Sequence, residues 1–232
     1  MGRIVNLILI LFFMMHTLAL GQEKNTVSHW LNTGDSLLNS GKYNESLDAY
    51  REVIKLDHSN STAWNQEGVV FNLLGRYDEA IQAFDKSTEF DPTNAKAWNN
   101  KGSTLNLMGR YNEALQAFNK SIELDPTNAK AWNNKGSALN LFGRYDEALQ
   151  AFNQSIELDP SNAKTWNNKG SLLGITGKYS EAIICFNKAL ELKPQEAIFK
   201  YNKETALKGL NSSLGTNSTA NCSLCQDKES TI

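Results

Sequence analysis

The chain is poor in the residues that staple a small protein or arm it for chemistry. Three Cys and three His in 232 residues are too few for a disulfide scaffold or a zinc-rich module. Neither sign of charge dominates: 23 Lys+Arg against 25 Asp+Glu leave a net charge of −2, which excludes the basic footprint of a nucleic-acid binder. No Gly-rich phosphate loop, no His-x-x-x-His pair and no nucleophile elbow occurs. The frames on which phosphoryl transfer, metal-assisted hydrolysis or acyl transfer are commonly built are therefore missing. We expect no catalytic residue, no metal site and no cofactor. Proline is scarce at four and tryptophan at five, and where these few residues stand organises the rest of the chain.

Only one long apolar run exists, from Ile4 to Leu20, interrupted by Asn6, His16 and Thr17. Arg3 precedes it, and the small residues Ala19 and Gly21 lead into the polar stretch Gln22–Asn25. A basic start, an apolar middle and a small-x-small end are the order of a secretory signal peptide. Residues 1–21 are thus expected to be a leader cut after Gly21, which places the remainder in a secreted or extracytoplasmic-envelope setting. Left uncut, residues 4–20 would act as a membrane anchor, the one route to membrane association. Outside the cytoplasm the tail pair Cys222 and Cys225 suits a local disulfide or an intermolecular link, whereas Cys185, flanked by Ile184 and Phe186, is expected to be a buried thiol.

The five Trp are Trp30, Trp64, Trp98, Trp132 and Trp166, spaced 34 residues apart, and Pro92, Pro126, Pro160 and Pro194 keep the same step. Ten of the 15 Gly fall into two further rows, one running from Gly34 to Gly170 and one from Gly41 to Gly177. Tyr43, Tyr77, Tyr111, Tyr145 and Tyr179 form another row. Self-similarity at such a period marks a stacked-repeat architecture. Set from the Trp at the fourth place, the units are 27–60, 61–94, 95–128, 129–162 and 163–196, preceded by a short lead-in, 22–26. Units 95–128 and 129–162 differ at only five positions, the mark of a recent duplication.

Within unit 95–128 a first helix, A, runs to Met108 and ends at Gly109, which accepts the left-handed conformation. A second, B, starts near Asn112–Glu113 with an acid at its positive end and stops before Asp125–Pro126. Gly102 and Ala114 are small where the two helices must approach. Trp98, Leu105, Tyr111, Leu115, Phe118, Ile122 and Leu124 are expected to fill the core. Residues 197–210 continue as a capping helix, with Phe199, Ala206, Leu207 and Leu210 inward and Lys200, Lys203, Glu204 and Lys208 in water. The tail, 211–232, is rich in Ser, Thr and Asn and is expected to be disordered. Its sequons at Asn211, Asn217 and Asn221 are the candidate N-glycosylation sites.

Trp, Gly, Tyr, Ala, Phe and Pro at these 34-residue intervals closely resemble the tetratricopeptide repeat. The resemblance covers about three quarters of the chain, with mild departures in the first unit: Ser46 for Ala and His58 for Pro. It implies an all-α, right-handed superhelical solenoid of five helix–turn–helix repeats plus the C-terminal capping helix. It also implies that helix A lines a concave groove with repeat positions 2, 5, 6, 9, 12 and 13, a stripe of three- and four-residue steps.

The candidate groove residues are then Lys96, Asn99, Asn100, Ser103 and Asn106 in the third unit. Lys130, Asn133, Asn134, Ser137 and Asn140 follow in the fourth, and Lys164, Asn167 and Asn168 in the fifth. A carboxamide both donates and accepts, which suits the alternating groups of an extended peptide backbone, and the lysines favour acidic segments. The carboxylate clamp of some family members does not carry over, because Asn stands at positions 5 and 6 where that clamp has Lys and Arg.

The expected function is a protein-interaction scaffold holding a peptide or partner protein. A structural envelope spacer, or a rod that self-associates, is the alternative. If the amides are free for a ligand, replacing Asn100 and Asn134 by Ala weakens binding without lowering Tm.

Overall fold

The computed structural model describes residues 26–226, with side chains placed through Leu214. The leader at residues 1–21 and the side chains of Asn217, Asn221, Cys222 and Cys225 lie outside the described residues. Among the described residues there are eleven helices and no strand. The chain divides into two compact units, residues 1–124 and 125–232. The first holds α1 (Val27–Asn39), α2 (Tyr43–Leu56), α3 (Ser61–Leu73), α4 (Tyr77–Phe90), α5 (Ala95–Leu107) and α6 (Tyr111–Leu124). The second holds α7 (Ala129–Leu141), α8 (Tyr145–Leu158), α9 (Ala163–Ile175), α10 (Tyr179–Leu192) and α11 (Ala197–Gln226). Odd and even helices pair as A and B of each repeat, and α11 packs on α9 and α10.

Local chemistry sets the boundaries. Before α5, Asp91 Oδ1 accepts from the Thr93 N–H at 3.0 Å and from its hydroxyl at 2.7 Å, closing the turn around Pro92. Asn94 then caps the helix by accepting from the Ala97 N–H at 3.1 Å. At the other end Gly109 takes φ 74°, which lets the Arg110 N–H reach back to the Leu105 carbonyl at 2.9 Å. The Arg110 guanidinium in turn grips Glu113 at 2.7 and 2.6 Å, so the acid at the start of helix B is ion-paired as well as favourably placed on the helix dipole. Arg144 and Glu147 repeat this pair.

The core sits where helix A meets helix B. A Cβ placed on Gly102 would lie 2.8 Å from the Phe118 ring, and Gly68, Gly136 and Gly170 stand likewise against Phe84, Phe152 and Phe186. Those four Phe are completely buried. In the first repeat Tyr50 replaces Phe over Gly34. Its hydroxyl donates to Asp35 Oδ1 at 2.6 Å, and burial together with the Asp35 charge drives its pKa far above the usual tyrosine range.

Helix B is also tied to the start of helix A by Ser121 Oγ, which donates to the Ala95 carbonyl at 2.8 Å; Ser87 and Ser155 do the same in their repeats. In the first unit, ion pairs join successive repeats with the charges reversed. Arg51 meets Glu67 at 3.1 Å, and Lys101 meets Asp85 at 2.6 Å. Burial raises the Glu67 carboxyl pKa against the pull of Arg51.

Three expectations need correction. The Trp and Tyr rows are core only in part: all five Trp are half-buried, Trp64, Trp166 and Tyr43 pack against the buried clusters, and Tyr145 is exposed. Each of Trp64, Trp98, Trp132 and Trp166 donates its indole N–H to the carbonyl six residues back, from His58, Pro92, Pro126 and Pro160. A ring bound to its own turn stays at the rim. Leu207 is exposed, while Phe199 and Ala206 do cover the last repeat. The capping helix does not end at Leu210 but runs to Gln226, because no Pro follows Pro194 and Gly215 is the one Gly after Leu210.

Gly102→Ala should cost about 1–3 kcal/mol, since the new methyl must displace the Phe118 ring in a closely packed interface. Urea denaturation of the variant is expected to show a lower midpoint. An unchanged midpoint would mean that the helices do not approach this closely.

Candidate functional site

The A helices bring the sequence-predicted residues onto one face within each unit, but most of their polar groups are already engaged. In the first unit Asn100 Nδ2 donates to Asn65 Oδ1 of the preceding repeat at 3.0 Å. The chain of amides continues from Asn65 Nδ2 to Gln66 Oε1 at 3.3 Å and from Gln66 Nε2 to Asp35 Oδ1 at 2.9 Å. In the second unit Asn168 donates to Asn133 at 3.0 Å, Asn202 to Asn167 at 2.9 Å, and Asn133 to Asn134 at 3.4 Å. The bonds from Asn100, Asn168 and Asn202 each run from position 6 to position 5 of the repeat before, whereas Gln66 reaches position 9. Ser103 and Ser137 donate to the carbonyls of Asn99 and Asn133, one turn back on their own helices.

These amides hold successive A helices in register, and Asn65 and Asn99 are buried. Each tie uses one N–H of its amide, so the Asn100 side chain links repeats and is only in part available to a ligand. Lys96, Lys130 and Lys164 remain exposed. Asn72, Asn106 and Asn140, at position 12, keep Oδ1 buried with no hydrogen-bond donor on it.

One row was missed. Leu73, Leu107, Leu141 and Ile175 occupy position 13 and are 55–62% exposed. Large aliphatic side chains recurring at the same place on both A helices of a pair, Leu73 with Leu107 in the first unit and Leu141 with Ile175 in the second, need an explanation that scattered surface leucines do not. The signal lay in the sequence, because the stripe that selects positions 2, 5, 6, 9 and 12 also selects 13. Attention to polar residues passed over it.

On the flank beside the Trp row, Lys101 and Lys135 lie 5.2 Å above the rings of Trp98 and Trp132. Burial lowers the Lys135 pKa. Among the described residues no group of three or more His, Cys, Asp or Glu is gathered as a metal site, and no helix is long and apolar enough to cross a membrane. His29 stacks edge-on against Trp30, and His58 against Trp64 and Phe90. Cys185 is buried, and burial raises its thiol pKa. Of the sequons, those at Asn44, Asn119 and Asn153 have their Ser46, Ser121 and Ser155 fully buried and bonded to helix-A carbonyls, while Asn211 is exposed.

Family models described as tetratricopeptide repeat match residues 95–128, 129–162 and 163–196, and a second such model matches residues 31–95. The chain belongs to the tetratricopeptide repeat family. No curated protein matches it. Among solved structures, MamA is 26% identical over 71% of this chain and 96% of its own, with a TM-score of 0.62. YrrB, described as a TPR protein with an unusual peptide-binding site, is 24% identical over 81% of this chain and 97% of its own, with a TM-score of 0.62. The pilF protein of Pseudomonas aeruginosa is 20% identical over 82% and 90%, with a TM-score of 0.69. At their identities the last two show the tetratricopeptide fold alone.

The repeat-to-repeat tie is open to measurement. Asn100→Ala should lower stability by about 1 kcal/mol, because it leaves the buried Asn65 carbonyl oxygen without its donor. A thermal melt that matches the unaltered chain would show that the ladder contributes nothing.

Proposed function

We propose that this tetratricopeptide repeat protein is a non-catalytic interaction scaffold that holds an extended peptide segment against the helix-A faces of its units. The observation that carries the proposal is the exposed aliphatic row Leu73, Leu107, Leu141 and Ile175. It lies on the same helices as the exposed lysines Lys96, Lys130 and Lys164. An apolar row gives a peptide side chains to bury, at about 25 cal/mol per Å². The amide ladder keeps the supporting helices in register, so less order has to be imposed when the ligand binds. The lysines favour segments carrying Asp or Glu. The leader-like Met1–Gly21 supports a site of action outside the cytoplasm, with the partner met there.

Selection of a random decapeptide display library on the full chain tests this. Selected peptides are expected to carry apolar residues together with Asp or Glu. Replacing Leu107 and Leu141 with Ser should weaken their binding by about tenfold or more. Both side chains are largely in water, so Tm should stay nearly constant. Peptides that bind the double variant as tightly as the original chain would overturn the proposal.

A further inference from the structure

Position 12 carries asparagine in three of the five repeats, and the first has Leu38 there. Asn72, Asn106 and Asn140 stand there in the second to fourth repeats, each with its Oδ1 buried. The fifth repeat has Gly174, and a Cβ built on it meets nothing within 4 Å. The space left open is a cavity of about 400 Å³ inside the second unit, bounded by α9, α10 and α11. Its apolar wall is Ile175, Tyr179, Phe186 and Tyr201. Opposite, Gly209 lies so close under the Tyr179 ring that a Cβ there would come within 2.5 Å of it. Ile175 is also the last member of the exposed aliphatic row, and Tyr201 is 65% exposed, so the cavity opens onto the face that carries the row.

The polar groups of the lining are few and distinct. Asn202 donates its amide N–H to Asn167, which leaves its Oδ1 to accept. Ser171 lines the cavity without bonding its own helix as Ser103 and Ser137 do. Thr205 lines the cavity too, its hydroxyl donating to the Tyr201 carbonyl at 2.9 Å. Three aromatic rings and three polar groups that can serve as acceptors match an aromatic side chain with an N–H or O–H on its edge. The volume lies within the roughly 300–1,000 Å³ of ligand sites and suits one such ring with its adjoining backbone. Residues 202–232 contain no Phe, Tyr or Trp to supply that group.

We propose that this cavity is an anchor pocket for one tyrosine or tryptophan side chain of the bound peptide. The proposal deepens the peptide-holding function and rests on it: the aliphatic row supplies contact along the segment, and the pocket selects the residue that sets its register. Glycine at position 12 makes the pocket, so the asparagine of the second to fourth repeats should close it. Position 174 is helical with free space around it, so Gly174→Asn is compatible with the fold and loses the entropic penalty of a mid-helix glycine.

The test is to select random decapeptides on the full chain and measure the resulting synthetic peptides on the Gly174→Asn variant. Tyr or Trp enriched at one position is expected. Gly174→Asn should weaken binding by about tenfold or more, as should Ala at that peptide position. Ser171→Leu, which fills the cavity from its other side, should do the same, and guards against a folding defect peculiar to either variant. Peptides that bind but show no aromatic preference, or that bind Gly174→Asn undiminished, would overturn the anchor and leave the helix-A face standing. Failure to select any peptide would overturn both.

Discussion

Each repeat depends on the contact between a glycine on helix A and an aromatic ring on helix B. At Gly68, Gly102, Gly136 and Gly170 the ring lies where a Cβ would otherwise be. The two helices thereby come close enough for Phe84, Phe118, Phe152 and Phe186 to lose all contact with water. A helix pair this small cannot bury a face on its own, and its stability comes from neighbours. The Gly–ring contact sets the angle and depth at which each pair presents itself to those neighbours. The buried serine bonds, such as Ser121 to the Ala95 carbonyl, lock that same approach from the other end.

The first repeat shows how departures are compensated. Ser46, standing where other repeats have Ala, is fully buried yet satisfied, because its hydroxyl reaches the Gly34 carbonyl at 2.8 Å. His58 stands in place of Pro, and its carbonyl still receives the Trp64 indole N–H at 2.8 Å. Tyr50 takes the place of Phe and adds a hydroxyl that Asp35 and Gln66 hold. In each case the side chain changes while the backbone bond or the ring contact survives.

On the A face the roles of polar and apolar residues are the reverse of what composition suggests. Carboxamides, the obvious ligand-binding groups, are committed to one another between repeats, as Asn100 is to Asn65 and Asn168 to Asn133. Aliphatic side chains, the obvious core material, stand in water at Leu73, Leu107, Leu141 and Ile175. A buried amide must find partners, and a partner at the same height on the next helix is the nearest available. Among the described residues the apolar row stays 55–62% exposed, which is why the proposed peptide contact is placed on it.

The spacing of Trp, Gly, Tyr and Pro alone determined the helix pairs, their boundaries to within a residue or two, and the identity of the family. Those features are local: a capping Asn, a left-handed Gly and a helix-stopping Pro act within a few residues of themselves. The stripe on helix A was legible once the resemblance named its positions, and it put Lys96 and Asn100 on one face while the aliphatic side chains at position 13 went unassigned. What counting does not reveal is which atoms on that face already have partners. Asn100 and Asn65 are 35 residues apart, and only the stacking of one repeat on the next brings them to 3.0 Å. The same holds for the space beside Gly174, which depends on what neighbouring helices leave uncovered, a property of packing across repeats.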